Sequence, residues 1–401
     1  MTSMTAVPAP GTLFTGGGRL LLPGPFDGPG PWAVHVADGL ITWIGPRADA
    51  PGAETIVELR AALVTPGLVD AHTHPVFAGD RADEAAARLA GAPYSGGGIL
   101  RTVAATRAAS DEELESAVEV RLRAALAAGT TTVECKSGYG LSTHEELRAL
   151  RIIGRAAARL PLRVVRTFLG AHAVPPEAAS ASAHAQRVAA EMIPAVAAQG
   201  LADFCDVFCD DGFFSVADAE RILGAALDHG LGIRLHADQL ASIGAVRLAV
   251  ELGAASADHL EQLDDAGVTA LAGSSTVATL LPGPALVMRG RRPPARALLD
   301  AGATVALASD ANAGTFGRFG AMPLVIGLGA TLLGMRADEA LAAATTGGAA
   351  SLHLGQVCGA LRPGMAADLV AWDAAHEGSF ALSLGAGARR VFVGGVEVPL
   401  G

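Results

Sequence analysis

The chain has 401 residues, 51% of them hydrophobic and only 4% aromatic, with 50 glycines. That composition suffices for one large α/β barrel with an appendage, its core built from small, closely packed side chains. A net charge of −11 excludes nucleic acid as the main partner, because no basic face offsets phosphate, but it allows an anionic small substrate held by a local arginine.

The N-terminus, "MTSMTAVPAPGTLFTGGG", lacks a basic segment followed by an unbroken apolar one, so no secretory signal is expected. Residues 1–65 then read as short strands and turns. "AVHVADGLITWIG" alternates, turns at Asp38 and Gly39, and alternates again, which is a hairpin pattern. The C-terminal stretches "ADLVAWD" and "RRVFVGGVEV" repeat that style. Neither end is long enough for a good core alone, so one small β-sandwich domain is expected from residues 1–65 together with 357–401.

Between them, residues 66–356 repeat strand, polar exit and helix. The strand candidates are "GLVDAHTH" (67–74), "TTVECKS" (131–137), "RVVRTFLGAH" (163–172) and "ADFCDVF" (202–208). "GIRLHAD" (232–238), "SADHL" (256–260), "TVATLL" (276–281) and "TVALASDAN" (304–312) follow. One intervening helix is expected to start at Ser110 as N-cap, with Glu113 completing a capping box, and to stop at Gly129. Eight strands alternating with helices predict a (β/α)8 barrel of the TIM type. The most apolar stretch, "PLVIGLGATLLGM", is too short and too broken by glycine to span a bilayer. Cys135, Cys205, Cys209 and Cys358 form no tight pair; Cys205 and Cys209 read as buried free thiols on a strand and its exit, and the four suit a reducing cytoplasm. Lys136 is the single lysine among 29 basic residues, a bias read as compositional.

In such barrels the chemistry lies at the C-terminal ends of the strands, and the metal-competent residues fall there. His72 and His74 close the first strand candidate, His172 the third, His236 the fifth, His259 the sixth and Asp310 the eighth. The other six histidines fall in helices, loops or the terminal β regions. Two histidines two apart on a strand project from one face and can serve one cation. Neutral imidazoles with one carboxylate suit a borderline divalent ion such as zinc or iron. Asp310 would complete that set, its alternative being an N-cap for the following helix.

Several motifs carry a more specific signal. "TPGLVDAHTHPVFAGDR", "ECKSGYGL", "TFLGAH", "HADQL", "SADHLE" and "SDANAGT" together resemble the imidazolonepropionase family. "LRPGMAADLVAWD" resembles the terminal β-sandwich of amidohydrolases at large. The likeness covers nearly the whole chain. It implies hydrolysis of 4-imidazolone-5-propanoate to N-formimidoyl-L-glutamate in histidine degradation, one zinc or iron ion per subunit, and a homodimer. The metal ligands it implies are His72, His74, His236 and Asp310. Arg81, Tyr139, His172, Gln239 and Thr315 would contact the substrate, and Asn312 and Gly314 would hold the opened product. His259 would shuttle a proton or steady an oxyanion beside the metal.

Gln239 stands where some family members carry glutamate. An amide orients but does not exchange protons, so the proton work falls on His259 and Asp310. For the same reason a purine or pyrimidine aminohydrolase, which usually needs a His-x-x-Glu acid, is the weaker alternative. A non-catalytic scaffold is the other, and no ligand is missing to support it. Lys136 ends the second strand, where it fits an ion pair or a substrate-loop contact better than the metal-bridging carbamate of binuclear relatives. Arg81 could instead pair with Asp80, Asp83 or Glu84. The glycines 96–98 could offer amides to an anion or form a lid over the barrel mouth.

Overall fold

The computed structural model describes residues 11–22, 24, 26, 30–91 and 97–399. The reading of the first ten residues lies outside this range, as does the lid reading at Gly96; Gly97 and Gly98 open the helix Gly97–Ala108. Eight parallel strands form one sheet: β1 (Leu68–Asp70), β2 (Thr130–Lys136), β3 (Arg163–Ala171), β4 (Phe204–Cys209), β5 (Gly232–Ala237), β6 (Ser256–His259), β7 (Val277–Leu280) and β8 (Val305–Leu307). They follow one another in chain order around the sheet, as expected when each strand returns through its own helix.

The first and last ladders are shorter than their hydrophobic runs suggest. The seam still closes: Asp310 N–H donates to the His72 carbonyl at 2.9 Å, His74 N–H to the Ala311 carbonyl at 2.9 Å, and Thr73 bridges Ala311 in parallel. Below them the Asp70 carboxyl accepts from the Ser309 amide at 2.9 Å and its hydroxyl at 2.6 Å. Burial pushes the Asp70 carboxyl up to about 7, against the lowering effect of these bonds.

The helix Asp111–Ala127 begins with the Ser110–Glu113 capping box and ends before Gly129. Gly129 has φ +89, and a Cβ there would come within 2.8 Å of the Trp372 ring. The stop therefore serves two purposes, a left-handed turn and a close contact with the terminal sheet.

That terminal sheet has five strands, ordered Val396–Val398, Ala388–Val393, Leu369–Trp372, Leu63–Pro66 and Arg19–Leu20. It thus draws on both ends of the chain. A second, four-stranded sheet is N-terminal and contains the expected hairpin, Trp32–Ala37 against Leu40–Pro46. Positive φ at Asp38 (52°) and Gly39 (77°) gives the turn whose twist suits such hairpins. Phe14, Trp32, Ile41 and Phe392 fill the space between the sheets. All four cysteines are buried free thiols. Among the described residues no helix is long and apolar enough to cross a membrane.

Candidate active site

Ten of the twelve residues expected at the site line one cavity at the C-terminal end of the barrel: His74, Arg81, Tyr139, His172, His236, Gln239, His259, Asp310, Asn312 and Thr315, joined by Ile99 and Phe208. The other two lie just behind it, His72 beside His74 and Gly314 against Arg81. The cavity measures about 30 Å³, room for one or two waters. A larger groove of about 620 Å³ runs along the helices Asp111–Ala127 and Thr143–Ala157. Its Arg and Glu side chains pair with one another on a solvated face, an arrangement without convergent donors for a reacting group.

His72, His74 and His236 each offer a ligand atom within 4.8 Å of the others, and all three are buried. The Nε2 atoms of His72 and His74 are 3.2 Å apart, and Asp310 Oδ1 lies 3.3 Å from the latter and 3.7 Å from the former. Donors on a tetrahedral ion with bonds of about 2.1 Å sit roughly 3.4 Å apart, so the set fits one zinc-sized cation.

The protonation states fit as well. Burial pushes His72 and His236 below the ordinary imidazole range, and the Lys136 ammonium adds to that effect. Asp310 is driven the other way: burial alone would raise it, but His74, His259 and His236 bring it down to about 2. The shifts at His72 and His236 favour neutral imidazoles beside an ionised carboxylate, the form that binds a metal.

Beneath these donors lies a layer of buried charges, of which the sequence motifs include Asp258, Glu134 and Lys136 but not Asp206 or Arg234. The Asp258 carboxylate is 2.7 Å from His72 Nδ1 and 3.1 Å from the Arg234 guanidinium. The Asp206 carboxylate is 3.0 Å from His236 Nδ1 and 2.7 Å from Lys136 Nζ. Lys136 also donates to Glu134 at 2.8 Å. A carboxylate accepts only, so His72 carries its proton on Nδ1 and presents the Nε2 lone pair to the site, while His236 turns its Nδ1 toward Asp206 in the same sense. A usable signal is present in the sequence: Arg234 precedes His236 by two, and Asp206 precedes Phe208 by two, placing each charge on the inward face of an apolar strand. Lys136 is therefore ion-paired. Burial would lower its pKa, but Asp206 and Glu134 outweigh that and keep it protonated, so it has no lone pair for carboxylation.

His172 Nδ1 lies 3.0 Å from the Gly138 carbonyl, which requires N–H there and leaves Nε2 as an acceptor. Burial lowers its proton affinity, and His74 and His236 reinforce that. His259 sits at the end of β6 with φ 84°, its Nδ1 3.5 Å from a Glu261 carboxylate oxygen. Burial alone would lower this imidazole, yet Glu261, Asp310 and Asp258 outweigh it and raise it above the ordinary value.

Loops carrying the remaining residues are tied by carboxylates and amides. Glu146 accepts the amides of Gly138, Gly140 and Leu141 around Tyr139. Asp210 accepts those of Gln239, Leu240 and Ala241. Asn312 Oδ1 accepts from Gly314 and Thr315, while its amide donates to Asp310 and Thr315, so Asn312 organises the loop it sits in.

Arg81 is only 4% exposed and both lines the cavity and pairs with Glu84, at 2.9 Å and 2.6 Å. Arg88 shares that carboxylate at 2.9 Å, so the trio keeps a net positive charge. A Cβ on Gly314 would approach Arg81 Nη1 to 2.2 Å, and one on Gly98 would approach Nη2 to 2.3 Å. The guanidinium lies in a slot that only glycine walls allow.

The comparisons with known proteins agree with this architecture. Residues 63–398 match the amidohydrolase family. An imidazolonepropionase of Nocardia farcinica is 47% identical over 372 residues, covering 91% of this chain and 92% of its own. That of Rubrobacter xylanophilus is 49% identical, with 86% and 85% covered. Among solved structures, a zinc-bound adenosine deaminase from Xanthomonas campestris superposes with a TM-score of 0.72 at 20% identity, over 97% of this chain and 92% of that one. An N-isopropylammelide isopropylaminohydrolase from Burkholderia multivorans gives 0.74 at 23%, over 97% and 98%; at such identities the likeness concerns the fold. By the family match and these close relatives, the chain belongs to the amidohydrolase family, among the imidazolonepropionases.

Proposed function

We propose that this chain hydrolyses the ring C–N bond of 4-imidazolone-5-propanoate to N-formimidoyl-L-glutamate in histidine degradation, using one zinc or iron ion per subunit held by His72, His74, His236 and Asp310. The observation that carries the reading is one cavity lined by His74, His236, Asp310 and the Arg81 guanidinium, with His72 directly behind His74. Relatives 45–49% identical that bear the name imidazolonepropionase support it. The four buried thiols support a reducing cytoplasm as its compartment.

A divalent ion in this set supplies a water acidified to a pKa of about 7 and polarises a carbonyl. The protein's own groups handle protons and position. Water adds to the ring carbonyl carbon, and its proton passes to the ionised Asp310 carboxylate. His259, its proton affinity raised by Glu261, steadies the oxyanion and protonates the departing ring nitrogen as the C–N bond breaks. The carbonyl carbon becomes a carboxylate and the nitrogen stays in the formimidoyl group, so the atoms of one water are accounted for. Tyr139, Gln239 and Thr315 contact the substrate, with His172 Nε2 accepting from a ring N–H. Asn312 and Gly314 contact the opened product.

The propanoate tail meets Arg81, whose planar guanidinium grips a carboxylate through parallel hydrogen bonds. Arg81→Ala is expected to cost about 2–4 kcal/mol in kcat/KM by depriving a buried carboxylate of its partner. Arg81→Lys should recover only part of that. Steady-state kinetics on the substrate and on an imidazolone without the propanoate check the assignment. The shorter compound should be poor for the wild type and indifferent to the substitution; equal damage to both would make Arg81 a loop support instead.

A further inference from the structure

Lys136 is the single lysine in a chain whose other basic residues are all arginine, and it is fully buried. Its Nζ lies 2.7 Å from Asp206 and 2.8 Å from Glu134, with Asp258 at 4.0 Å. Both near partners are themselves fully buried, so the nest accepts a compact point charge and leaves little room for a planar guanidinium. The same Asp206 oxygen that meets Nζ also meets His236 Nδ1, at 3.0 Å.

On the other side of the site Arg234, Asp258 and His72 repeat the order of cation, carboxylate and imidazole, at 3.1 Å and 2.7 Å. Arg234 is anchored further by the carbonyls of Ser351 and Ala71, at 2.5 Å and 2.8 Å. Two of the three histidines thus turn Nδ1 toward a carboxylate that a buried cation holds, His72 through a hydrogen bond and His236 at 3.0 Å. His74 has no such carboxylate on its Nδ1 among the described residues.

We propose that Lys136 is a positioning residue for metal binding: it fixes the Asp206 carboxylate, and through it the His236 ring, so that Nε2 converges with the other donors. The inference rests on reading the three histidines as metal ligands. Without the ammonium, Asp206 would face Glu134 across a buried nest with no cation between them, and like charges would push it away from His236.

The test is a double-mutant cycle on the metal-free full chain, with zinc affinity read by competition with a chelator. Zinc binding by the wild type tests the underlying ligand reading separately. Lys136→Met and Asp206→Asn are each expected to weaken zinc about 10–100-fold, the usual range when a partner that orients a ligand is lost. If Lys136 acts through Asp206, the double variant stays within about 3-fold of Asp206→Asn, because contacting residues in one chain of interactions are not additive. Wild-type zinc affinity in folded Lys136→Met, or losses that multiply in the double variant, would overturn the proposal. Should Lys136→Met not fold, Lys136→Met with Glu134→Gln removes one acid along with the cation. The same loss of zinc affinity there supports the proposal; wild-type affinity, or failure of this variant to fold as well, overturns it by leaving the lysine a purely structural role.

Discussion

Asp310→Ala is expected to remove the bound metal and ring opening together. Asp310 is the only carboxylate among the proposed ligands, lies 3.3 Å from His74 Nε2, and is ionised, with its pKa brought down to about 2. Losing it removes both a ligand and the local negative charge that balances a divalent cation. Activity should fall on the order of 10^4-fold or more, since water without the ion returns from a pKa of about 7 toward 15.7. His72→Ala and His236→Ala should behave alike, because each takes away a neutral nitrogen donor. Metal content measured by elemental analysis, beside turnover of the same preparation, checks this. A variant that keeps about one ion per chain yet is inactive would move Asp310 from ligand to proton acceptor alone.

The second large effect is assigned to His259. His259→Ala should lower kcat about 10^2- to 10^4-fold, the contribution typical of a positioned acid or base, while metal content stays near that of the wild type. The distinction from Asp310 lies in the geometry. His259 ends a different strand, and its Nδ1 faces Glu261 at 3.5 Å, which leaves its other ring nitrogen for the reaction. Gln239→Ala, by contrast, should mainly raise KM, since an amide binds without transferring protons. Near-normal kcat in His259→Ala would assign all of the proton work to Asp310.

Much of this donor cluster is legible from spacing, because side chains at strand ends obey the period of two and the polarity of the barrel. His72 and His74 share a face for that reason, and His236, His259 and Asp310 follow from their positions at the ends of apolar runs. The capping box at Ser110 is legible because its partners are three residues apart. The way the charges beneath the histidines meet is harder to see, since Asp206, Asp258, Arg234 and Lys136 sit on four different strands and come together only when the barrel closes. Glu146 and Asp210 are hidden for another reason: their partners are backbone amides, which nearly every residue carries and no motif records. The pairing of Arg81 with Glu84 fits a three-residue helical spacing. That Arg81 also lines the cavity depends on the slot between Gly98 and Gly314, residues far apart in the chain.

Ring opening of an imidazolone, and not deamination of a base, is the reaction assigned to this site. The most direct measurement follows product formation from 4-imidazolone-5-propanoate by the metal-loaded full chain, with ammonia measured in parallel on purine and pyrimidine substrates. One N-formimidoyl-L-glutamate is expected for each imidazolone consumed, and no ammonia from any base, because Gln239 stands where such enzymes usually need an acid. Ammonia released from a purine or pyrimidine, with no turnover of the imidazolone, would contradict this assignment.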